Sequence, residues 1–332
     1  MHRAPVSLRR PPRPGRRASR AGFTLVELMM ALVLLAMIGG AIVNLLTRQQ
    51  RFYRSAQEAI DLRAELRHAG MLLPTDLRTI SPANGDVYAW SDTMIEFRQI
   101  LGSGVSCQIF APIGATQRIA LPPLRQARDG ALTSWIAVPE PGDSVFVYDD
   151  GAFVGNADDV WRAYAITAVA SLPVTTGCTG AYYTSPDAGS LGYRLTLALP
   201  SGSTAIPLTV AEGAPIRVFR RARYSLFQQP SDGRWYLGFS DCLAGRVPAC
   251  STPLAVAGPY RPYSATDPGA TGLAFSYWDG NGAQLVPGVS ALTQLARIDV
   301  VTRTETVRVV ANGVGKTRYL DSLHASIGLR NR

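Results

Sequence analysis

The sequence predicts an α+β protein in which a long N-terminal helix, with a membrane half and an amphipathic half, packs on an antiparallel β-rich globular domain. Three observations support this class. An apolar run extends from Phe23 to Leu46. Apolar residues then recur at helical spacing as far as Pro74, and short alternating or β-branched runs fill the remainder of the chain. The 31 glycines and 23 prolines suit the many turns of such a domain.

The apolar run is long enough to cross a membrane. No side chain from Leu28 to Val43 is polar. As an α-helix, the stretch from Phe23 to Leu46 would span roughly 36 Å, compared with about 30 Å for the hydrocarbon core of a bilayer. Residues 1–22 contain seven arginines and no acid. The positive-inside rule therefore predicts a cytoplasmic N-terminus, with everything after Leu46 on the other side of the membrane.

One carboxylate, Glu27, lies within this run. A secretory signal peptide is an alternative interpretation, since it combines a basic region, an apolar region of about 7–15 residues and small residues at a cleavage site. The small residues are present in "AMIGGA". The acid fits that alternative poorly, because a charge at the centre of a membrane helix costs about 2.5–3.5 kcal/mol. The sequence therefore predicts a partner for Glu27.

The helix is predicted to continue beyond the membrane, from residue 47 to residue 73. The stretch "TRQQRFYRSAQEAIDLRAELRHAGMLL" contains no proline. Its apolar residues recur at helical spacing between charged ones; they are Phe52, Ala56, Ala59 or Ile60, Leu66 and Leu73. We therefore expect one helix of about 50 residues, whose second half places this stripe on the globular domain.

Residues 74–332 are predicted to form an antiparallel β-rich domain. The asparagine-glycine and aspartate-glycine pairs in "YWDGNGAQL" are strong hairpin signals. The predicted strands are "DVYAW", "TMIEFRQI", "SCQIFAPI", "SWIAV", "SVFVYDD", "AYAITAVASL", "YRLTLAL", "IRVFRRARYSLFQ", "RWYLGF", "GLAFSYWD", "ARIDVVTRTETVRVV" and "HASIGL".

The net charge of +9 resides mainly in the N-terminal arm. Because residues 1–22 hold seven of the 33 basic residues and none of the 24 acids, the rest of the chain has a net charge of only +2. This distribution argues against a nucleic-acid partner, because the rest of the chain lacks the basic excess that such binding needs. Strand alternation places Arg217, Arg221 and Arg223 on one face, which we interpret as a solvated sheet face or a contact with a neighbouring subunit.

Four cysteines follow the apolar run, an even number that fits an oxidising compartment. Cys242 and Cys250 bracket a short loop containing glycine and proline, so they are candidates for one disulfide. Cys107 and Cys178 would then pair by elimination. Four free thiols in the core are the alternative. No C-x-x-C motif is present, and we predict no metal site.

No constellation for catalysis is found. The chain has no G-x-S-x-G, H-E-x-x-H or P-loop motif, and no nucleotide-binding glycine motif after a strand. His68 and His324 have no obvious nucleophile or acid nearby and are expected to be surface or packing residues. The acids in "YDDGAFVGNADDVW" lack the spacing of a calcium loop and are interpreted as a solvated turn. We expect no enzyme activity and no cofactor.

The segment "GFTLVELMMALVLLAMI" resembles the N-terminus of type IV pilins and of the pseudopilins of type II secretion. The resemblance covers about 25 residues and consists of Gly22, Phe23, Glu27 and the apolar helix. It implies that a prepilin peptidase cuts after Gly22 and methylates the new N-terminus at Phe23. It also implies that Glu27 pairs with the N-terminal amine of a neighbouring subunit, which would supply the expected partner.

Two C-terminal segments make the resemblance more specific. "GLAFSYWDGNGAQLVPGVSALTQLARIDVVTRTET" is similar to a segment shared by PilW-type minor pilins and J-type minor pseudopilins, and "SIGLRNR" resembles the end of PilW-type proteins. The chain length also favours the PilW type. The resemblance implies a structural subunit that joins other minor pilins and the major pilin, to prime assembly or cap the filament tip.

The expected organisation has four parts. Residues 1–22 are a cleaved basic leader, 23–46 the membrane or filament-core half of the helix, 47–73 its amphipathic half, and 74–332 the β-rich domain outside the inner membrane. Three alternatives to a minor pilin remain open. They are a minor pseudopilin of type II secretion, a tip adhesin or binding module, and an exported enzyme held by an uncleaved anchor.

Overall fold

The computed structural model describes residues 22–125, 133–153, 155–245, 247–306, 310–312 and 315–329. The chain divides into two compact units, one ending at Gln57 and the other beginning at Glu58. A long helix, α1 (Leu25–Leu77), is followed by antiparallel strands. This arrangement confirms the predicted α+β class with a β-rich globular domain.

Eleven strands form the first sheet in the part of the chain that the structure describes. The long strand β9 is its centre, because it pairs with β2 along one edge and with β6 and then β10 along the other. The strands are β1 (Val87–Trp90), β2 (Met94–Val105), β3 (Gln108–Ile109), β4 (Thr116–Leu121), β5 (Ser134–Trp135), β6 (Ser144–Asp149), β7 (Val160–Pro173), β8 (Leu191–Ala198), β9 (Pro215–Gln228), β10 (Trp235–Cys242) and β11 (Leu254–Tyr260).

A second sheet comes from the C-terminal third of the chain. Within the described residues its strand order is β13, β12, β14, β17, and a separate two-stranded ribbon pairs β15 with β16. The short helix α2 (Val174–Gly177) follows β7. The remaining strands are β12 (Leu273–Trp278), β13 (Gln284–Leu285), β14 (Arg297–Glu305), β15 (Val310–Asn312), β16 (Gly315–Thr317) and β17 (Leu320–Gly328).

The main core lies where the C-terminal part of α1 meets both sheets. The helix contributes one buried face, formed by Leu62, Leu66, Ala69, Leu73 and Leu77. The predicted positions Leu66 and Leu73 are therefore confirmed. At the Ala59/Ile60 position, Ala59 is half-buried and Ile60 is 61% exposed, so the buried stripe passes through Ala59. Phe52 belongs to the other compact unit and is 70% exposed. Apolar spacing marks the helical face but does not show which of two adjacent apolar residues is turned towards the core.

The helix also continues past its predicted end at residue 73. Pro74 lies within it and lacks the N–H that would bond to the carbonyl of Gly70, which is why proline normally ends a helix. Here the final turn still forms, with the Arg78 N–H donating to the Pro74 carbonyl at 3.2 Å. Leu77 in that turn is fully buried, so core packing offsets the lost hydrogen bond.

A polar contact ties the end of α1 to the first sheet. The Tyr224 hydroxyl, on β9, donates a hydrogen bond to an Asp76 carboxylate oxygen at 2.7 Å. Burial raises the pKa of Asp76, although this hydrogen bond acts in the opposite direction. Burial and the nearby Asp76 carboxylate also raise the pKa of Tyr224. The pair therefore holds the helix on the sheet while keeping a carboxylate partly away from water.

We predict that Asp76→Asn will reduce the pH dependence of stability above about pH 4, the usual carboxyl range. Because the folded-state pKa of Asp76 is raised, its stabilising contribution is complete below the unfolded-state pKa and is lost as the pH rises through the folded-state value. Urea unfolding of the full chain in detergent at a series of pH values measures how the free energy of unfolding depends on pH. Equal pH dependence in the variant and the parent would contradict it.

Two disulfides join cysteines of the globular domain among the described residues: Cys107–Cys178 and Cys242–Cys250, with Cα–Cα distances of 5.0 and 3.8 Å. These are the two pairs expected from the sequence. The first connects residues 71 positions apart, beside a small core cluster at α2. The second closes a loop of sequence separation 8 after β10.

The loop lengths predict unequal contributions to stability. In the chain-entropy description, closing the loops of separation 71 and 8 stabilises the folded state by about 4 and about 2.5 kcal/mol respectively. Replacing both members of each pair by alanine should therefore lower the free energy of unfolding more for Cys107/Cys178 than for Cys242/Cys250. Urea unfolding of the two double variants under oxidising conditions tests the order, and a reversed order would contradict it.

Candidate functional site

The N-terminal candidate site begins with three residues outside regular secondary structure, Gly22 to Thr24, before α1 starts at Leu25. The Thr24 hydroxyl oxygen accepts a hydrogen bond from the Glu27 backbone N–H at 3.2 Å and so caps the helix. Thr24 and Glu27 have the spacing of a capping box, in which the acid occupies the third helical position. This role of Thr24 is not among the sequence predictions, although the Thr-x-x-Glu pattern indicates it.

Glu27 thus has a local reason to be acidic, because negative charge is favourable in the first turn of a helix. Its side chain is exposed, and no described residue forms an ion pair with it. Phe23, the residue before the cap, is 80% exposed. Gly22 is also open, since a Cβ at this position would meet no atom within 4 Å. The cap accounts for an acid here but leaves the carboxylate available to another molecule.

The apolar part of α1 is solvent-exposed. Every residue from Gly22 to Arg54 is exposed except Gly39, which is half-buried, and the helix passes without a break through Gly39 and Gly40. By length and composition the helix is able to span a membrane. An uncovered apolar surface of this extent indicates a membrane or a protein partner.

A different set of polar residues lies on the first sheet. On β9, Ile216, Val218 and Tyr224 are buried in the cores. Arg217, Phe219, Arg221 and Arg223 alternate with them, and we call their side of the sheet the outer face.

The predicted solvated arginine face requires correction for two of its members. Arg221 and Arg223 both bind the carboxylate of Glu96 on β2, which is fully buried. The guanidinium of Arg223 contacts it at 2.6 Å. Strand register explains the contact, because Glu96 lies directly opposite Arg223. These two arginines therefore neutralise an acid of their own domain instead of facing only solvent.

Three carboxylates of the acid-rich turn between β6 and β7 bind groups of the same domain. Asp149 is buried and binds Arg162 at 2.5 Å. Asp158 accepts hydrogen bonds from two backbone N–H groups of the turn, and Asp159 accepts one from the Tyr148 hydroxyl at 2.5 Å. The residues form a turn, as expected, with Asp149 buried in an ion pair.

Two further sequence candidates do not form a reactive centre with neighbouring groups. His68 and His324 are both exposed, on α1 and β17 respectively.

Glu96 lies near Cys242 and Cys250, with potential ligand atoms within 4.8 Å of one another. Both sulfurs are in a disulfide, however, and metal ions bind thiolates, so this proximity does not make a metal site.

Comparison with known proteins finds a family match in the N-terminal segment. Residues 17–43 match the family described as the prokaryotic N-terminal methylation motif. No curated protein and no solved structure matches the chain. The motif is that of prepilin-type proteins, the class of type IV pilins and pseudopilins, and it is the cleavage signal for prepilin peptidase. Together with the β-rich fold, it favours a structural, non-enzymatic role and membrane anchoring by the apolar helix.

Proposed function

We propose that the chain is a minor pilin of a type IV pilus, closest to the PilW type. It joins a complex of minor pilins that primes assembly or caps the filament tip. The observation that carries this proposal is the methylation motif at residues 17–43, which runs directly into an exposed apolar helix. The apolar surface is first covered by the bilayer and then by the helices of neighbouring subunits.

Processing makes this change of surroundings possible. Prepilin peptidase removes the leader, residues 1–22, by cutting after Gly22, and then methylates Phe23. Until then the arginines hold the N-terminus in the cytoplasm and the β-rich domain outside the inner membrane. Once they are removed, the helix can enter the filament together with the major pilin and other minor pilins.

Glu27 gives the assembly its register. The amine freed at Phe23 is largely protonated near neutral pH. Opposite charges attract more strongly in an apolar helix bundle than in water, so the Glu27 carboxylate pairs with the amine of a neighbouring subunit. A single buried pair can fix the register of otherwise similar apolar helices. Among the described residues the Glu27 carboxylate is exposed and has no ion-pair partner, which supports this role.

A minor pseudopilin of type II secretion is the second candidate. It shares the N-terminal motif, and the C-terminal segment that includes β12 and β14 resembles J-type pseudopilins as well as PilW-type pilins. Affinity purification of the full, tagged chain from detergent-solubilised membranes separates the two. Recovery of pilus subunits supports the minor pilin. Recovery of secretion pseudopilins without pilus subunits would replace it with the second candidate.

A further inference from the structure

A hollow of about 510 Å³ opens on the outer face of the first sheet. It crosses four adjacent strands, β2, β9, β6 and β7, so a rigid sheet forms its floor. Ser103 lies opposite Arg217 in the register of β2 and β9, and Tyr148 lies opposite Trp161 in that of β6 and β7. The lining residues are Ser103, Gly104, Val105, Tyr148, Trp161, Pro215, Ile216 and Arg217.

Arg217 differs from the other arginines of β9. Arg220, Arg221 and Arg223 each bind carboxylates of the domain. The side chain of Arg217 forms no ion pair or hydrogen bond within the part of the chain that the structure describes, and its guanidinium lies over the Trp161 ring at 4.5 Å. This contact restrains the guanidinium and leaves its N–H groups free to bind a carboxylate in a bidentate manner.

The rest of the hollow is mainly apolar and has two further polar groups, the Ser103 hydroxyl and the Tyr148 hydroxyl, which donates a hydrogen bond to Asp159 at 2.5 Å. The rings of Tyr148 and Trp161 are 5.2 Å apart and tilted by 58°, and Val105 and Pro215 add aliphatic surface. The Ser103 side chain is exposed. Apolar and aromatic walls with a few placed polar groups are the usual composition of a site for a small ligand, and the volume lies within the usual range.

We propose that this hollow binds an acidic sugar residue of a glycan chain. The carboxylate of the sugar binds the Arg217 guanidinium, its C–H face packs on the aromatic walls, and a ring hydroxyl bonds to Ser103. The proposal adds a ligand-binding activity to the assembly role and does not depend on it, because no residue of the hollow belongs to the N-terminal helix.

The charges favour this ligand over a nucleic acid. A nucleic-acid strand carries a regular series of phosphates, and its binding surfaces track the backbone with several available cations. On this face, Arg221 and Arg223 are occupied by Glu96, and Arg98 binds Asp86 at 2.6 Å. The one unpaired guanidinium in the hollow suits a ligand that offers one carboxylate. A lone acidic side chain of a protein would leave most of the hollow empty.

Titration calorimetry on the full chain in detergent tests the site. The probes are a trisaccharide ending in glucuronic acid, the same trisaccharide ending in glucose, inorganic phosphate and a short oligothymidylate. The variants are Arg217→Ala and Arg217→Lys. Arg194→Ala is the matched control, since Arg194 is a half-buried arginine on β8 outside the hollow and its loss changes the net charge equally.

We expect the uronate trisaccharide to bind and the glucose counterpart to bind at least tenfold more weakly. Arg217→Ala should weaken uronate binding about ten- to hundredfold. Arg217→Lys should weaken it less, since lysine keeps the charge but not the planar fork. Arg194→Ala should leave binding unchanged.

Three results would overturn the proposal. The first is no uronate binding by folded parent protein, and the second is equal binding by Arg217→Ala. The third is binding of phosphate or oligothymidylate as tight as that of the uronate, which would indicate a simple anion site or a nucleic-acid surface. Unchanged unfolding midpoints in the variants confirm that any loss of binding is not a loss of fold.

Discussion

Glu27→Gln should leave leader cleavage intact and remove the protein from assembled filaments. Glutamine is accepted at the third position of a capping box, so the bond between Thr24 and the helix start is retained while the charge is lost. Breaking a buried ion pair by removing one partner costs about 3–5 kcal/mol, which corresponds to at least a hundredfold loss of affinity between subunits.

The companion variants separate pairing from capping. Thr24→Ala removes the hydrogen bond to the Glu27 N–H but keeps the carboxylate, and the loss of a cap typically costs about 1 kcal/mol. We therefore expect Thr24→Ala to enter filaments and Glu27→Ala to fail as Glu27→Gln does. Immunoblots of sheared filaments measure how much of each variant enters filaments, and immunoblots of membranes show whether its leader has been cleaved. If Glu27→Gln enters filaments normally while Thr24→Ala does not, the acid serves the helix cap and the pairing role is wrong.

Gly22→Leu should block removal of the leader completely. The peptidase must accept the residue before the cut, and the proposal places a glycine there. A Cβ at Gly22 meets no atom of the described residues within 4 Å, so the substitution has room beside them and an effect on processing is not attributed to a damaged fold.

Gly39→Leu is the matched control for this variant. A Cβ at Gly39 likewise meets no atom within 4 Å, and leucine is at least as good a helix former as glycine at that position. Electrophoretic mobility in the presence and absence of prepilin peptidase reports cleavage. We expect Gly22→Leu to keep the mobility of the precursor and Gly39→Leu to be processed normally. Normal processing of Gly22→Leu would contradict the assigned junction.

Local patterns predicted the features that depend on local chemistry. The apolar run, the long helix and most strands follow from periodicity along the chain. The strand β4 was missed because Gln117 interrupts its apolar alternation. This side chain faces inward, where its amide donates to the Phe110 carbonyl at 2.9 Å and accepts from the Ile206 N–H at 2.6 Å. The strand β11 was missed because Gly258 and Pro259 lie within it and usually interrupt strands.

Contacts between distant parts of the chain were beyond local reasoning. Alternation placed Arg217, Arg221 and Arg223 on one face, and the structure retains this arrangement. It did not reveal Glu96, which is 127 positions before Arg223 and meets it through the pairing of β2 with β9. The stack of Arg217 on Trp161 likewise requires β7 and β9 to lie on either side of β6. The candidate sites therefore divide into a linear motif and a surface created by the fold.

The central claim is that this chain is a prepilin-type subunit, cut after Gly22 and assembled with a modified Phe23. Intact mass spectrometry of the protein recovered from sheared filaments tests it most directly. The account predicts the mass of residues 23–332 plus one methyl group, with four cysteines oxidised as two disulfides. A mass that includes residues 1–22, or one that begins near "AMIGGA" as in a cleaved signal peptide, would contradict it.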